Sequence, residues 1–323
     1  MKEIFSLTFL IVGCIVGAGF ASGSEINLFF AKFGNMAYFF LFILFCLLFI
    51  SIYKLLMIKE KYNIRNISHF CLIAFGRYSK MANICLFVCY LLFSSIMVAG
   101  LVELFGLMVL VVIFLLAFFI LCSQKNRLTK INKVLVPCVV VFILILLLLN
   151  LDKTAINNAV CTISCMDIIN LIFYASLNML LSVGAILSLS KIKSKTQIVI
   201  SSISSSLLVC LICLVIIFLI QGSSIGLGVM PIRSIAENIN VFASVISVLI
   251  IGTCCLTTFF AVLLSMQEQV QQYKKVNSKL LLTILLFCIF ILSFLGFENV
   301  LSFAYVLGGS IAFVFLLSLW LIK

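Results

Sequence analysis

The residues of this chain best equipped for chemistry crowd into one short segment, GCIVGAGFASGSE at 13–25. Four glycines (Gly13, Gly17, Gly19, Gly23), two serines and Glu25 lie there, inside a run otherwise apolar enough to cross a membrane. Breaking a helix in lipid strands backbone N–H and C=O groups at several kcal/mol each unless something satisfies them. Such a break persists where it binds something. The positive start of a resumed half-helix suits a carboxylate, and the carbonyl end of the preceding half suits Na⁺ or an ammonium group. A zwitterionic amino acid fits both. The competing reading is packing, since Gly13-x-x-x-Gly17 and Gly19-x-x-x-Gly23 are small-xxx-small spacings. Packing does not call for a glutamate. Glu25 itself has two compatible readings: an ion- or proton-coupling group, or the distal half of a capping box begun by Ser22.

The elements that must position this segment are membrane helices. The chain is 65% hydrophobic and 9% charged, too apolar for a soluble domain of this length. Apolar runs fall near 4–31, 36–57, 81–106, 107–123, 134–150, 167–190, 198–220, 239–265, 280–297 and 300–322, which predicts ten spans across a core about 30 Å thick. The runs do not alternate as barrel strands do. The N-terminal run shows no convincing cleavage site and is read as a span rather than a signal peptide.

The net charge of +12 follows topology. Threaded from a cytoplasmic N-terminus, the ten spans place every Lys and Arg except Lys32, Lys153 and Arg233 on or beside the cytoplasmic face. That is the positive-inside pattern, and it removes nucleic acid as a partner. The expected setting is the bilayer of a cell membrane, with both termini cytoplasmic. Most of the fourteen cysteines lie in spans, where Cys behaves as a small apolar residue. Cys161 and Cys165 share an outer loop and are close enough in sequence to pair.

Two long interruptions occupy matching places. Residues 58–80 precede span three inside, and 221–238 precede span eight outside. If 1–150 and 151–323 are repeats, five spans each, the second must enter the membrane inverted. Inverted repeats carry a midplane site flanked by discontinuous helices. The first span of each repeat is therefore expected to be broken: span one at its glycines, span six around Ser176, Asn178, Ser182 and Gly184.

The expected substrate-lining set is Gly17, Ala18, Gly19, Phe20, Ala21, Ser22 and Gly23 of span one with Ser176 and Asn178 of span six. Tyr90 and Tyr174 are candidate aromatic lids, with core packing as the alternative. The expected ion-coupling set is Gly13, Val16, Glu25, Thr253, Thr257 and Thr258. Backbone carbonyls of span one and hydroxyls of span eight would hold Na⁺ as coupling ion, or Glu25 would carry H⁺. Threonine in membrane helices also bonds its own preceding carbonyl, which is the competing reading for span eight. Glu103 and Glu298 read as interfacial and His69 as solvated. One histidine without a carboxylate cluster argues against a metal site. Nothing resembles a catalytic constellation, and without a P-loop active transport would be ion-coupled.

IVGAGFASGSEINLFFAKFG (15–34), FGRYSK (75–80) and MVAGLVELFG (97–106) together resemble the signature of YkvI-like bacterial membrane proteins. The likeness extends over the ten-span layout, and the chain departs from it at Ser24 and in a less polar span six. That family is similar in turn to the amino acid–polyamine–organocation transporters of LeuT fold. The resemblance implies a five-plus-five inverted all-α bundle with spans one and six unwound, in a bacterial cell membrane. It implies no particular substrate. The expected function is secondary transport of a small organic solute, an amino acid or related amine. A ligand-sensing subunit of the same fold is the alternative, and the oligomeric state is left open.

Overall fold

The computed structural model describes residues 2–64, 66–113, 126–150, 163–187, 194–223, 228–271 and 278–322. Among these, every regular element is a helix. Span one is three pieces: α1 (Lys2–Ile15), α2 (Ala18–Ser22) and α3 (Ser24–Phe29). There follow α4 (Met36–Tyr62), α5 (Ile67–Phe75), α6 (Ser79–Phe105), α7 (Asn126–Leu149), α8 (Cys165–Leu187) and α9 (Lys195–Gly222). The chain closes with α10 (Pro231–Ile239), α11 (Val241–Gln271), α12 (Ser278–Ser293) and α13 (Phe297–Leu321).

Among the described residues six helices are long and apolar enough to cross a membrane uninterrupted: α4, α5 running on into α6, α8, α9, α11 and α13. This is a multi-pass helical membrane protein. Of the expected fourth span, 107–123, the part from 114 on lies outside the described residues, as does Cys161 of the candidate cysteine pair.

Local chemistry accounts for the helix starts. Asn66 accepts the His69 N–H at 2.8 Å to open α5, and Ser194 accepts the Gln197 N–H at 3.2 Å to open α9. Pro231 occupies the first turn of α10, where no N–H is needed. At α8, Ser164 Oγ accepts the Asp167 N–H (3.3 Å) while Asp167 Oδ2 accepts the Ser164 N–H (3.0 Å). That reciprocal pair is a capping box.

Packing follows a regular pattern. α4 packs on α9 and α6 on α11, each a helix against the one five places later in the expected ten-span order. Several further contacts come in pairs related by the same shift. α1 on α9 matches α4 on α8; α1 on α7 matches α8 on α13; α7 on α11 matches α6 on α13. The two long connectors each hold one nine-residue helix, α5 and α10, placed directly before the long helices α6 and α11. Close approach relies on small residues. Ser201, Ser202, Ser205 and Ser206 of α9 are fully buried, and each donates to a carbonyl of its own helix, at 2.6–2.8 Å.

One expectation fails in this part of the molecule. α8, the sixth span, runs unbroken from Cys165 to Leu187. Its polar residues are turned on their own helix: Ser176 Oγ donates to Ile172 C=O (2.7 Å), Asn178 Nδ2 to Tyr174 C=O (3.0 Å) and Ser182 Oγ to Met179 C=O (2.7 Å). Side chains that satisfy themselves this way need no unwound backbone.

The α8–α13 contact has a sharp steric limit. A Cβ on Gly309 would lie 2.6 Å from Phe173 Cβ and 3.3 Å from its Cα, whereas at Gly308 the nearest atom is 3.4 Å away. Gly309→Ala is expected to destabilise the bundle by about 1–3 kcal/mol and Gly308→Ala by much less. Thermal unfolding of both variants in detergent checks the difference.

Candidate functional site

The break in span one is real and has two parts. At the first, Gly17 N–H turns to Ile15 C=O (3.0 Å), and the next main-chain bond is Ala21 N–H to Gly17 C=O (3.1 Å). The Gly13 and Val16 carbonyls therefore lose their helical partners. At the second, Gly23 takes φ +77°, ψ −2° and ends α2 while opening α3. A side chain there would be strained by the left-handed backbone and would also meet Ile232 Cγ1 at 2.9 Å.

Gly23 decides where Glu25 goes. The expected capping box does not form, because Gly23 rather than Ser22 is the N-cap of α3 and no side chain caps it. Ser22 Oγ instead donates to Gly19 C=O (3.2 Å), accepts the Ser24 N–H (3.3 Å) and pairs with Ser24 Oγ (2.6 Å). The Glu25 side chain folds back onto Gly19, whose missing Cβ supplies the space it occupies. Glu25 is 3% exposed.

The carboxyl meets no cation there. Among the described residues no Lys, Arg or His pairs with it, and the polar groups facing it are the hydroxyls of Tyr174 on α8 and Tyr305 on α13. Glu25 Oε2, Tyr174 Oη and Tyr305 Oη are all buried, and none completes a hydrogen bond. Aromatic rings enclose the trio. The Phe29 centroid lies 4.9 Å from both Tyr174 and Tyr305, the two tyrosines lie 5.8 Å apart, and Phe20 and Phe30 reach Tyr174 at 6.4 and 5.5 Å.

Beyond this layer lies a cleft of about 150 Å³ lined by Leu28, Phe29, Lys32, Asp167, Asn170 and Tyr305. Lys32 Nζ and Asp167 Oδ1 approach to 3.6 Å across it, tying the end of the broken span to the start of α8. Phe29 and Tyr305 belong to both the cleft wall and the aromatic layer, so they separate the cleft from Glu25.

The expected residues divide accordingly. Gly19, Phe20, Glu25 and Tyr174 converge, and Ala18, Ala21, Ser22 and Gly23 are buried beside them. Thr258 reaches the first break, with its Oγ1 3.3 Å from where a Cβ of Gly17 would stand. The other threonines do not join it. Thr253 is exposed and bonded to Leu249 and Ile250 carbonyls, and Thr257 donates to Cys254 C=O (3.1 Å). Tyr90 reaches Gly184 instead of the trio, and Ser176 borders an apolar seam with Phe70 and Leu316. Glu103, Glu298 and His69 are exposed. Tyr305 and Phe29 were not anticipated. Each stands in an apolar run with no spacing signal, and only the packing of α13 and α3 on α8 reveals them.

Comparison with known proteins bears on the whole chain. No family model matches it. It is similar to the "Uncharacterized membrane protein YkvI" of Bacillus subtilis (strain 168), 23% identical over 326 residues that cover 96% of this chain and 93% of that protein. That similarity runs over nearly the whole chain. The expected resemblance holds, and YkvI brings no assigned activity with it.

Gly19 is the position where side-chain space and site integrity conflict most directly. Gly19→Leu is expected to insert and fold but to lose solute binding, because its side chain takes the volume Glu25 fills. Gly23→Ala should cost about 1–2 kcal/mol. Normal solute affinity in a folded Gly19→Leu protein would return the glycines to a packing role.

Proposed function

We propose that this protein is an ion-coupled secondary transporter of a small organic solute, an amino acid or related amine, working by alternating access in a bacterial cell membrane with both termini cytoplasmic. One observation carries the reading: a buried carboxyl with no cationic partner, held at the break of a spanning helix where three spans meet. Ionisable groups inside membranes are costly and mark pathways for substrates or ions. The cleft tied by Lys32 and Asp167 leads toward the trio and stops at the aromatic layer, the arrangement a carrier closed on one side requires.

The proposed architecture is two inverted five-span repeats, 1–150 and 151–323, of the LeuT kind that the family resemblance implies. It is supported by contacts that recur at a shift of five spans and by the matched connector helices. Na⁺ is the proposed coupling ion, held by the Gly13 and Val16 carbonyls with Thr258. This assignment leaves Glu25 free for the solute.

The continuous α8 favours a second reading. A carrier of this kind is expected to flex in both repeats, whereas a ligand-sensing subunit needs only the pocket. Binding without flux would select the sensor.

Purified protein in liposomes is expected to take up a labelled amino acid or amine only under an ion gradient. Replacing Na⁺ by choline at fixed pH should reduce uptake by roughly tenfold or more, and Thr258→Val should do the same. Uptake unchanged in choline but lost in Glu25→Gln would move coupling to H⁺ on Glu25.

A further inference from the structure

We infer that Glu25, Tyr174 and Tyr305 grip the ammonium group of the ligand, so that the site takes a protonated primary amine and does not require a carboxylate on it. The inference rests on the transport-or-sensing reading above and names the chemistry of that same site.

Charge comes first. Glu25 is only 3% exposed, no described cation faces it, and when ionised it brings one negative charge to that place. A buried, unpaired carboxylate is strongly unfavourable, and a bound cation removes that penalty. The nearest described lysine of the segment, Lys32, is engaged with Asp167 on the far side of the aromatic layer. A ligand carboxylate brought to the trio would meet Glu25 as a like charge.

The donor set then selects the kind of cation. Na⁺ prefers a shell of several oxygens, and the trio offers one carboxylate oxygen and two phenol oxygens, all with open valences. An ammonium group has three N–H donors. Three acceptors, Glu25 Oε2, Tyr174 Oη and Tyr305 Oη, match that number. The surrounding wall is aromatic, with Phe20, Phe29 and Phe30 packed around Tyr174. Ring faces attract ammonium and its adjoining CH₂ groups and offer nothing to an anion. Both tyrosine hydroxyls can turn their protons away and accept, which keeps the trio compatible with a donor-only ligand.

The geometry also supplies an entrance. Tyr305 and Phe29 line the outer cleft and the trio alike, so a rotation of these two rings joins the two spaces. The cleft of about 150 Å³ has room for the apolar body of a small amine above its buried head group.

The test uses the full chain in nanodiscs at saturating Na⁺. The probes are isobutylamine, phenethylamine and 1,4-diaminobutane. The parent amino acids of the first two, valine and phenylalanine, and the deaminated acids isovalerate and 3-phenylpropionate complete the panel. Binding is read by thermal shift and by competition with the tightest labelled amine. At least one amine is expected to bind, the deaminated acids are not, and Glu25→Gln should weaken the amine on the order of 10- to 100-fold. Tyr305→Phe should weaken it less, and Glu25→Asp should retain part of it, which separates charge from fold. Amine affinity unchanged in a folded Glu25→Gln protein overturns the inference, as do acids that bind as well as amines, or a panel in which no amine binds. Liposome flux is scored separately. Amino acid uptake that survives Glu25→Gln leaves the transport reading standing and this inference fallen. Glu25-dependent amine binding without flux does the reverse.

Discussion

A carboxyl group placed among membrane helices imposes a constraint on everything around it. Ionised and unpaired, it costs several kcal/mol even after the protein relaxes, so the fold must either keep it from the interior or provide for a partner. Here the main chain keeps it inside. Gly23 turns the backbone into the left-handed region, α3 starts from that turn, and Glu25 folds onto Gly19 rather than toward lipid or water. The two tyrosines brought by α8 and α13 complete a pocket of buried oxygens without hydrogen-bond partners.

The rest of the bundle can be understood as support for that arrangement. The broken span needs neighbours that cover its exposed backbone, and α8, α9 and α11 pack on its pieces. Serines on α9 keep side chains short where α4 and α1 approach, and they satisfy their own hydroxyls so that none competes with the site. Gly308 and Gly309 let α13 lie against α8 closely enough for Tyr305 to stack near Tyr174. The site thus depends on distant helix contacts as much as on the residues that face it.

Much of this was legible in the residues alone. Span one announces its break through glycine content, since each glycine lowers helix stability by about 1 kcal/mol relative to alanine. The described long spans and the two connectors follow from apolar runs and charge. The direction of Glu25 was not legible, because Ser22-x-x-Glu25 fits a capping box until the φ of Gly23 is known. The polar residues of α8 misled for a related reason: serine and asparagine within a span look the same whether they line a cavity or bond back to their own helix. Tyr305 carried no signal, because an isolated tyrosine in an apolar helix gains meaning only from the helix packed against it.

The central claim is that span one is interrupted within the bilayer while span six is not, and hydrogen exchange tests it most directly. In nanodiscs, peptides covering 13–25 should exchange roughly tenfold or more faster than those covering 172–184, since amides without a helical partner lose protection first. A saturating ligand should slow the first set and leave the second unchanged. Equal protection of the two segments, with or without ligand, would contradict the account, because a continuous first span has no place to hold Glu25 over Gly19.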